Sequence, residues 1–150
     1  MAKQRAHPDQ RFGLYRYRSP NIPLAAIRRY ARQIVARFQP EKIILFGSYA
    51  YGSAHAESDV DLLVVMPSAN HTTQAIRICR ALEPPFPLDL IVRAPEKLSR
   101  RLREGNWFLR EIVEKGKVLY AKRNPPLGPQ GRIRFRGRKT TRQAKAATPR

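Results

Sequence analysis

Two aspartates that follow a glycine–serine pair are the residues of this chain best suited to chemistry. The stretch FGSYAYGSAHAESDVDLLVV places Gly47 and Ser48 at the end of one apolar run, and Asp59 and Asp61 at the start of the next. Ionised carboxylates at the start of a buried strand destabilise the fold unless a positive group pairs with them. We therefore expect a cation beside these carboxylates, with a metal ion as the first candidate.

A third acid, Asp89, lies inside the apolar run PLDLIV. This position is unexpected, because aspartate disfavours both strands and burial. Alternate residues of a strand point to one face, so Asp59 and Asp61 project together, and Asp89 joins them if its strand is the neighbour. Oxygen ligands suit Mg²⁺, which commonly binds one or two carboxylates plus substrate phosphates. We predict that Asp59, Asp61 and Asp89 form a metal site.

The glycine–serine pair predicts an anion site that faces these acids. Gly47 permits a tight strand-to-helix turn, and the following amides and the Ser48 hydroxyl can donate to a phosphate. A phosphate site opposite a metal site is the arrangement that phosphoryl or nucleotidyl transfer requires. Two neighbours have alternative interpretations. Tyr49 either lines the nucleotide pocket or packs, and Ser58 either contacts the nucleotide or orders the approach to Asp59.

Apolar periodicity predicts the elements that position these side chains. Helical spacing and short β-branched runs distinguish helices from strands. We expect helices over 22–38, 70–82, 95–103 and 106–114, strands over 42–46, 60–66 and 88–92, a turn or short helix plus loop over 47–58, and a closing segment over 118–120. The last helix should bury Trp107 or Phe108. The pattern predicts a compact α+β domain.

Charge divides the chain of 150 residues into three parts. The net charge is +19, and residues 121–150 hold ten Lys or Arg residues and no acid. We predict a basic N-terminal arm over 1–21, one folded domain over 22–121 and a disordered basic tail over 122–150. The tail should bind nucleic acid non-specifically at low salt.

Two further features bear on location. Cys79 is the single cysteine, so an intramolecular disulfide is excluded. We find neither an apolar stretch of about 20 residues nor the apolar segment of a secretory signal. We expect a cytoplasmic protein without membrane contact.

The motif resembles the signature of the polymerase-β-like nucleotidyltransferase superfamily. It consists of Gly47-Ser48, ten intervening residues, and Asp59-Val60-Asp61, with Asp89 as the third acid. From PEKIILFGSYAYG to EIVEKGKVLYAK, the chain is similar to the minimal nucleotidyltransferase (MNT) family, the antitoxin-type partners of HEPN-domain ribonucleases. The resemblance covers about residues 22–121. Neither basic extension belongs to the usual pattern of that family.

The resemblance implies a small polymerase-β-like core, with a mixed β-sheet flanked by helices, and a role for each residue of the motif. Asp59 and Asp61 would hold Mg²⁺ on the triphosphate of ATP, and Asp89 would complete the metal site and activate the acceptor. The implied nucleotide-binding residues are Gly47, Ser48, Tyr49 and Ser58. Proteins of this kind transfer AMP to a tyrosine of a HEPN toxin, so the predicted function is that of an adenylyltransferase antitoxin.

Two alternatives stay open at the level of sequence. An antitoxin can inhibit its partner by stoichiometric binding, with catalysis secondary or lost. A small-molecule nucleotidyltransferase of the aminoglycoside type would use the same motif. We favour a protein acceptor, because no second folded domain is predicted that would shape a pocket for a small one.

Overall fold

The computed structural model describes residues 15–123, which form five helices and four strands. Every predicted element is present in this part of the chain, with ends that differ by at most two residues. The order is α1 (Leu24–Phe38), β1 (Lys42–Phe46), α2 (Ser48–Tyr51), β2 (Val60–Val65), α3 (His71–Ala81), β3 (Leu88–Arg93), α4 (Pro95–Arg103), α5 (Trp107–Lys115) and β4 (Lys117–Ala121). The predicted α+β class is confirmed. Residues 1–14 and 124–150, which include most of the predicted arm and tail, lie outside the described residues.

The four strands form one mixed sheet in the order β3-β2-β1-β4. Strand β1 is antiparallel to both β2 and β4, whereas β2 and β3 are parallel. A parallel pair needs a crossover connection, which α3 provides between β2 and β3. The register pairs Phe46 with Asp61, and Asp61 with Asp89. The two acids that the sequence left on separate strands are therefore direct neighbours.

Helices cover both faces of this sheet. Ile44 and Phe46 pack toward α4 and α5, and the alternate residues of β1 pack toward α1 and α3. Because side chains alternate along a strand, the register places Asp61 and Asp89 on the α4–α5 face. We call Phe46, Asp61 and Asp89 the terminal row of that face. The next row inward, Ile44, Leu63 and Ile91, is apolar and packs with the same two helices.

Helix α5 corrects the prediction for Trp107 and Phe108. Trp107 is 72% exposed and Phe108 is 40% exposed, whereas Leu109 and Ile112 are buried at 2% and 1%. The reason is helical phase: Trp107 precedes Leu109 by two residues, about 200° around the helix from the face that meets the sheet. Asn106 caps α5 as expected, since its side chain accepts a hydrogen bond from the Leu109 N–H at 2.9 Å.

The last residues of the predicted arm lie against the domain. The Tyr17 N–H donates to the Pro85 carbonyl at 2.9 Å, and Tyr17 packs against the α1–α3 core. Ile22, just before α1, is buried. Residues 15–21 are thus in contact with the loop that precedes β3. Within the described part of the chain, no helix has the length and apolar character to cross a membrane.

Candidate active site

Gly47 is required at the turn after β1 for two separate reasons. Its φ of +75° lies in the left-handed region, which side chains disfavour and glycine adopts freely. A Cβ added here would overlap the Asp61 carboxylate and lie 2.9 Å from Asp61 Cγ. The Asp61 carboxylate therefore occupies the space beside the Gly47 Cα, immediately before the first residue of α2. The turn and the acid that the sequence motif links are in direct contact.

Asp89 and Asp59 both act electrostatically on Asp61. Asp61 is half-buried, and burial is the main cause that raises its pKa to about 7. The charges of Asp89 and Asp59 raise the pKa further, because a second negative charge nearby disfavours ionisation. Asp89 itself is exposed. The site thus gathers negative charge around a partly buried carboxylate, and a cation would relieve this repulsion.

The residues present fit Mg²⁺ when substrate phosphates complete the site. Among residues 15–123, no three Asp, Glu, His or Cys side chains form a cluster that would hold a metal ion alone. Mg²⁺ seldom uses such a cage and usually binds one or two carboxylates together with phosphate oxygens and water. Asp61, with Asp59 or Asp89, offers this set of hard oxygen donors. The arrangement suits an ion that arrives with a nucleotide.

The hydroxyl groups of Ser58 and Tyr49 already form hydrogen bonds within the protein. Ser58 is 7% exposed, and its Oγ accepts a hydrogen bond from the His55 N–H at 2.8 Å. This contact supports the interpretation that Ser58 orders the approach to Asp59. The Tyr49 hydroxyl hydrogen bonds Ser19 Oγ at 2.8 Å. Direct contact of either side chain with a nucleotide stays a prediction.

Ser48, the remaining candidate of the motif, begins α2. Its carbonyl accepts the Ser53 N–H at 3.0 Å, and this bond closes the end of the short helix. Gly52 ends α2 with a φ of +80°. Ser48 is partly exposed and adjoins Gly47. Its position therefore permits the predicted contact with a phosphate, which stays a prediction.

Ser19 is a site-supporting residue that sequence reasoning missed. Its Oγ donates to the Ser58 carbonyl and shares a hydrogen bond with the Tyr49 hydroxyl. One hydroxyl thus joins α2 to the residue before Asp59. The partners lie 30 and 39 residues away in sequence, so no local spacing signals the contact.

Aromatic side chains extend from the terminal row to the surface. The rings of Phe46 and Phe108 meet nearly perpendicularly, with centroids 5.9 Å apart. Phe108 in turn meets Trp107 at 6.0 Å and 76°. Sequence reasoning assigned Trp107 or Phe108 to the core. It missed the contact of Phe108 with Phe46, the residue paired with Asp61, because the register of β1 with β2 was unknown.

Comparison with known proteins identifies the class. Residues 27–120 match the model of the nucleotidyltransferase domain family, and this segment contains the turn at Gly47 and all three aspartates. The chain belongs to the nucleotidyltransferase domain family. The prediction that it is a nucleotidyltransferase enzyme is confirmed at this level.

A relative in sequence agrees with this assignment. The chain is 33% identical over 100 residues to a candidate protein adenylyltransferase of Methanocaldococcus jannaschii, a match that covers 63% of this chain and 95% of the relative. Two solved structures are similar in part. One is a candidate nucleotidyltransferase of Sulfolobus solfataricus, with 20% identity, a TM-score of 0.40, and coverage of 51% of this chain and 71% of the other. The second is a chain of a toxin–antitoxin structure with AMP-PNP, with 24% identity, a TM-score of 0.41, and coverage of 63% and 73%.

Proposed function

We propose that this protein is a Mg²⁺-dependent protein adenylyltransferase that transfers AMP from ATP to a tyrosine of a HEPN-type ribonuclease toxin. It would thereby act as the antitoxin of that ribonuclease. The observation that carries the proposal is the position of Asp61, which pairs with Asp89 across two parallel strands and lies against Gly47. This arrangement brings the predicted metal ligands to the predicted phosphate turn.

Each residue of the motif has a role in this reaction. The acceptor hydroxyl oxygen attacks the α-phosphorus of ATP, the bond to the bridging oxygen of the β-phosphate breaks, and pyrophosphate leaves. Bound Mg²⁺ would neutralise charge on the phosphates, with Asp59 and Asp61 as its principal ligands. Asp89 orients the acceptor and takes its proton. The Ser48 hydroxyl and the first amides of α2 donate to phosphate oxygens.

Two kinds of evidence support a protein as the acceptor. The relative from Methanocaldococcus jannaschii carries the name of a candidate protein adenylyltransferase, and the match covers 95% of its length. The resemblance of the motif and core to the MNT family adds the HEPN toxin and its tyrosine. ATP as the nucleotide follows from the same resemblance.

The decisive experiment is label transfer. The purified chain, Mg²⁺ and a candidate HEPN toxin are incubated with ATP labelled at either the α- or the γ-phosphate. We expect a protease-sensitive toxin band that carries the α label and lacks the γ label, with no band for Asp61→Asn or with chelator. Mass spectrometry should then place the AMP on a tyrosine.

Two results would overturn the proposal. Transfer of the γ label would indicate a kinase-type reaction instead of nucleotidyl transfer. Undiminished neutralisation of the toxin by an Asp59→Ala, Asp61→Ala double variant, without any label transfer, would show inhibition by binding alone.

A further inference from the structure

The aromatic patch of Phe46, Phe108 and Trp107 has no role in the reaction as described above. Trp107 is 72% exposed, the largest value among the exposed large apolar side chains of residues 15–123. Such a side chain contributes little to folding, because most of its surface stays in water. Its link to the terminal row through Phe108 therefore suggests a ligand.

The patch meets the sheet face at its terminal row, through the contact of Phe108 with Phe46. Helices α4 and α5 cover the inner, apolar row of this face through residues such as Leu98, Leu109 and Ile112. The terminal row lies two residues further along the strands, next to the first turn of α5. Phe46 belongs to this row and contacts Phe108, so the patch begins where the acids lie. It then continues outward to Trp107.

The dimensions suit a nucleoside. From Phe46, which is paired with Asp61, the patch extends through ring-to-ring steps of 5.9 and 6.0 Å. A nucleotide with its phosphates at Gly47 and Asp61 carries its base away from them, beyond the ribose, and the patch likewise leads away from the residue that precedes Gly47. The perpendicular contact with Phe108 orients the indole of Trp107 while leaving most of its surface in solvent.

Two arginines lie near Trp107 in sequence and line one groove. This groove of about 260 Å³ between α4 and α5 is lined by Arg103 and Arg110 together with one acid, Glu114, so two of its three charged residues are positive. These arginines lie four residues before and three residues after Trp107. An aromatic surface next to positive charge is the usual composition of sites that stack bases of phosphorylated ligands.

We propose that Trp107, supported by Phe108, is the stacking platform for the base of the nucleotide substrate. The inference rests on the proposed function, which supplies a nucleoside triphosphate as the ligand. Stacking of a base on an aromatic side chain contributes roughly five- to a hundredfold in affinity. Because every base presents a π-face, the platform confers affinity for a nucleobase without selecting one base strongly.

The chain contains a single tryptophan, so its own fluorescence reports on this site. The full chain is titrated with Mg²⁺ and AMP-PNP, and separately with Mg²⁺ and tripolyphosphate, which lacks a base. Free tryptophan serves as the reference for absorption by the nucleotide. We expect saturable quenching by AMP-PNP and no saturable change with tripolyphosphate, while calorimetry detects binding of both ligands.

Variants give a second, independent measurement. Trp107→Ala should weaken AMP-PNP binding by roughly five- to a hundredfold and leave tripolyphosphate binding unchanged. Trp107→Phe should retain most of the affinity, because the ring can still stack. Ile76→Ala is the matched control, since Ile76 is an exposed apolar residue of α3, on the opposite side of the sheet.

Three outcomes separate this inference from the proposed function. Quenching together with the loss of affinity in Trp107→Ala supports both. Calorimetric binding of AMP-PNP without quenching, and with equal affinity in Trp107→Ala, overturns the stacking platform alone. If AMP-PNP does not bind the wild-type chain at all, both the platform and the proposed function are wrong.

Discussion

The carboxylate of Asp61 occupies the space in which any residue other than glycine at position 47 would carry its Cβ. Gly47, in the predicted phosphate turn, and Asp61, a predicted metal ligand, therefore cannot move independently of each other. A change at Gly47 must move Asp61, and a change in the path of β2 must alter the turn. This coupling gives the first testable prediction.

Gly47→Ala should abolish most activity, whereas Gly52→Ala should not. Both glycines have left-handed backbones, at φ of +75° and +80°, so alanine at either position costs roughly 1–2 kcal/mol of stability. Only at Gly47 does the new methyl group overlap Asp61. At Gly52 no atom of residues 15–123, apart from the adjoining residues of the chain, lies within 4 Å of the Cβ position. We expect label transfer to fall about a hundredfold or more in Gly47→Ala alone. Equal activity in the two variants would show that the overlap has no catalytic consequence.

Asp61→Asn should stabilise the metal-free protein in a pH-dependent way. The folded-state pKa of Asp61 is raised from 3.8 to about 7, so the folded state binds this proton more tightly than the unfolded state. The favourable contribution of protonated Asp61 is fully present below about pH 4 and is lost as the pH rises through about 7. At about pH 8, Asp61→Asn should therefore raise the free energy of unfolding by about 1–2 kcal/mol, after allowance for solvent screening.

Urea unfolding in the presence of chelator tests this prediction. The stabilisation of Asp61→Asn relative to the wild type should decline steadily from pH 8 toward about pH 4, where the Asp61 carboxylic acid and the asparagine amide are both neutral. Asp89→Asn removes one of the charges that raise the Asp61 pKa, and it should give a smaller effect of the same sign. A stabilisation that stays constant over this pH range would contradict the assignment to Asp61.

Ser19→Ala should impair catalysis although Ser19 lies outside the segment that matches the family. Its hydroxyl joins Tyr49 to the Ser58 carbonyl, and loss of these hydrogen bonds should lower stability by about 1–2 kcal/mol. Because Ser58 precedes Asp59, we also expect label transfer to fall roughly tenfold. Ser19→Thr should restore both properties, since it keeps the hydroxyl.

Ser68→Ala is the matched control for Ser19. Ser68 also donates a hydrogen bond to a backbone carbonyl, that of Asn70, but it lies after the far end of β2. If Ser19→Ala and Ser68→Ala have the same rate of label transfer, a positioning role for Ser19 is excluded.

Removal of the basic tail should reduce affinity for nucleic acid without loss of the fold. The cut belongs after Arg123, because the Lys122 N–H donates to the Glu41 carbonyl at 2.8 Å. Residues 124–150 carry eight Lys or Arg residues and no acid. The slope of log affinity against log salt should become shallower by up to about 0.9 for each phosphate that the tail neutralises. An unchanged slope on duplex DNA would assign the binding to the domain.

Much of this architecture follows from local sequence. Proline and glycine positions and apolar periodicity predict the ends of β1, α4 and α5 to within about a residue, because these signals act over a few neighbouring residues. The sequence predicted that Asp61 and Asp89 meet only if their strands are neighbours. The sheet shows that they are. Ser19 and Trp107 were missed or misplaced for the same physical reason. Their roles depend on tertiary contacts or helical phase, which short-range patterns do not specify.

The α4–α5 sheet face is divided between the terminal row, which carries the acids, and an apolar row that belongs to the hydrophobic core. The terminal row and the apolar row of Ile44, Leu63 and Ile91 are successive steps of the same three strands. The separation of the Asp61 and Asp89 backbones is thus the spacing of adjacent strands, about 4.8 Å, and no loop can adjust it. Selection for a different separation of these two carboxylates would have to repack the hydrophobic core, so the spacing of the acids should diverge more slowly than the exposed surfaces of the protein.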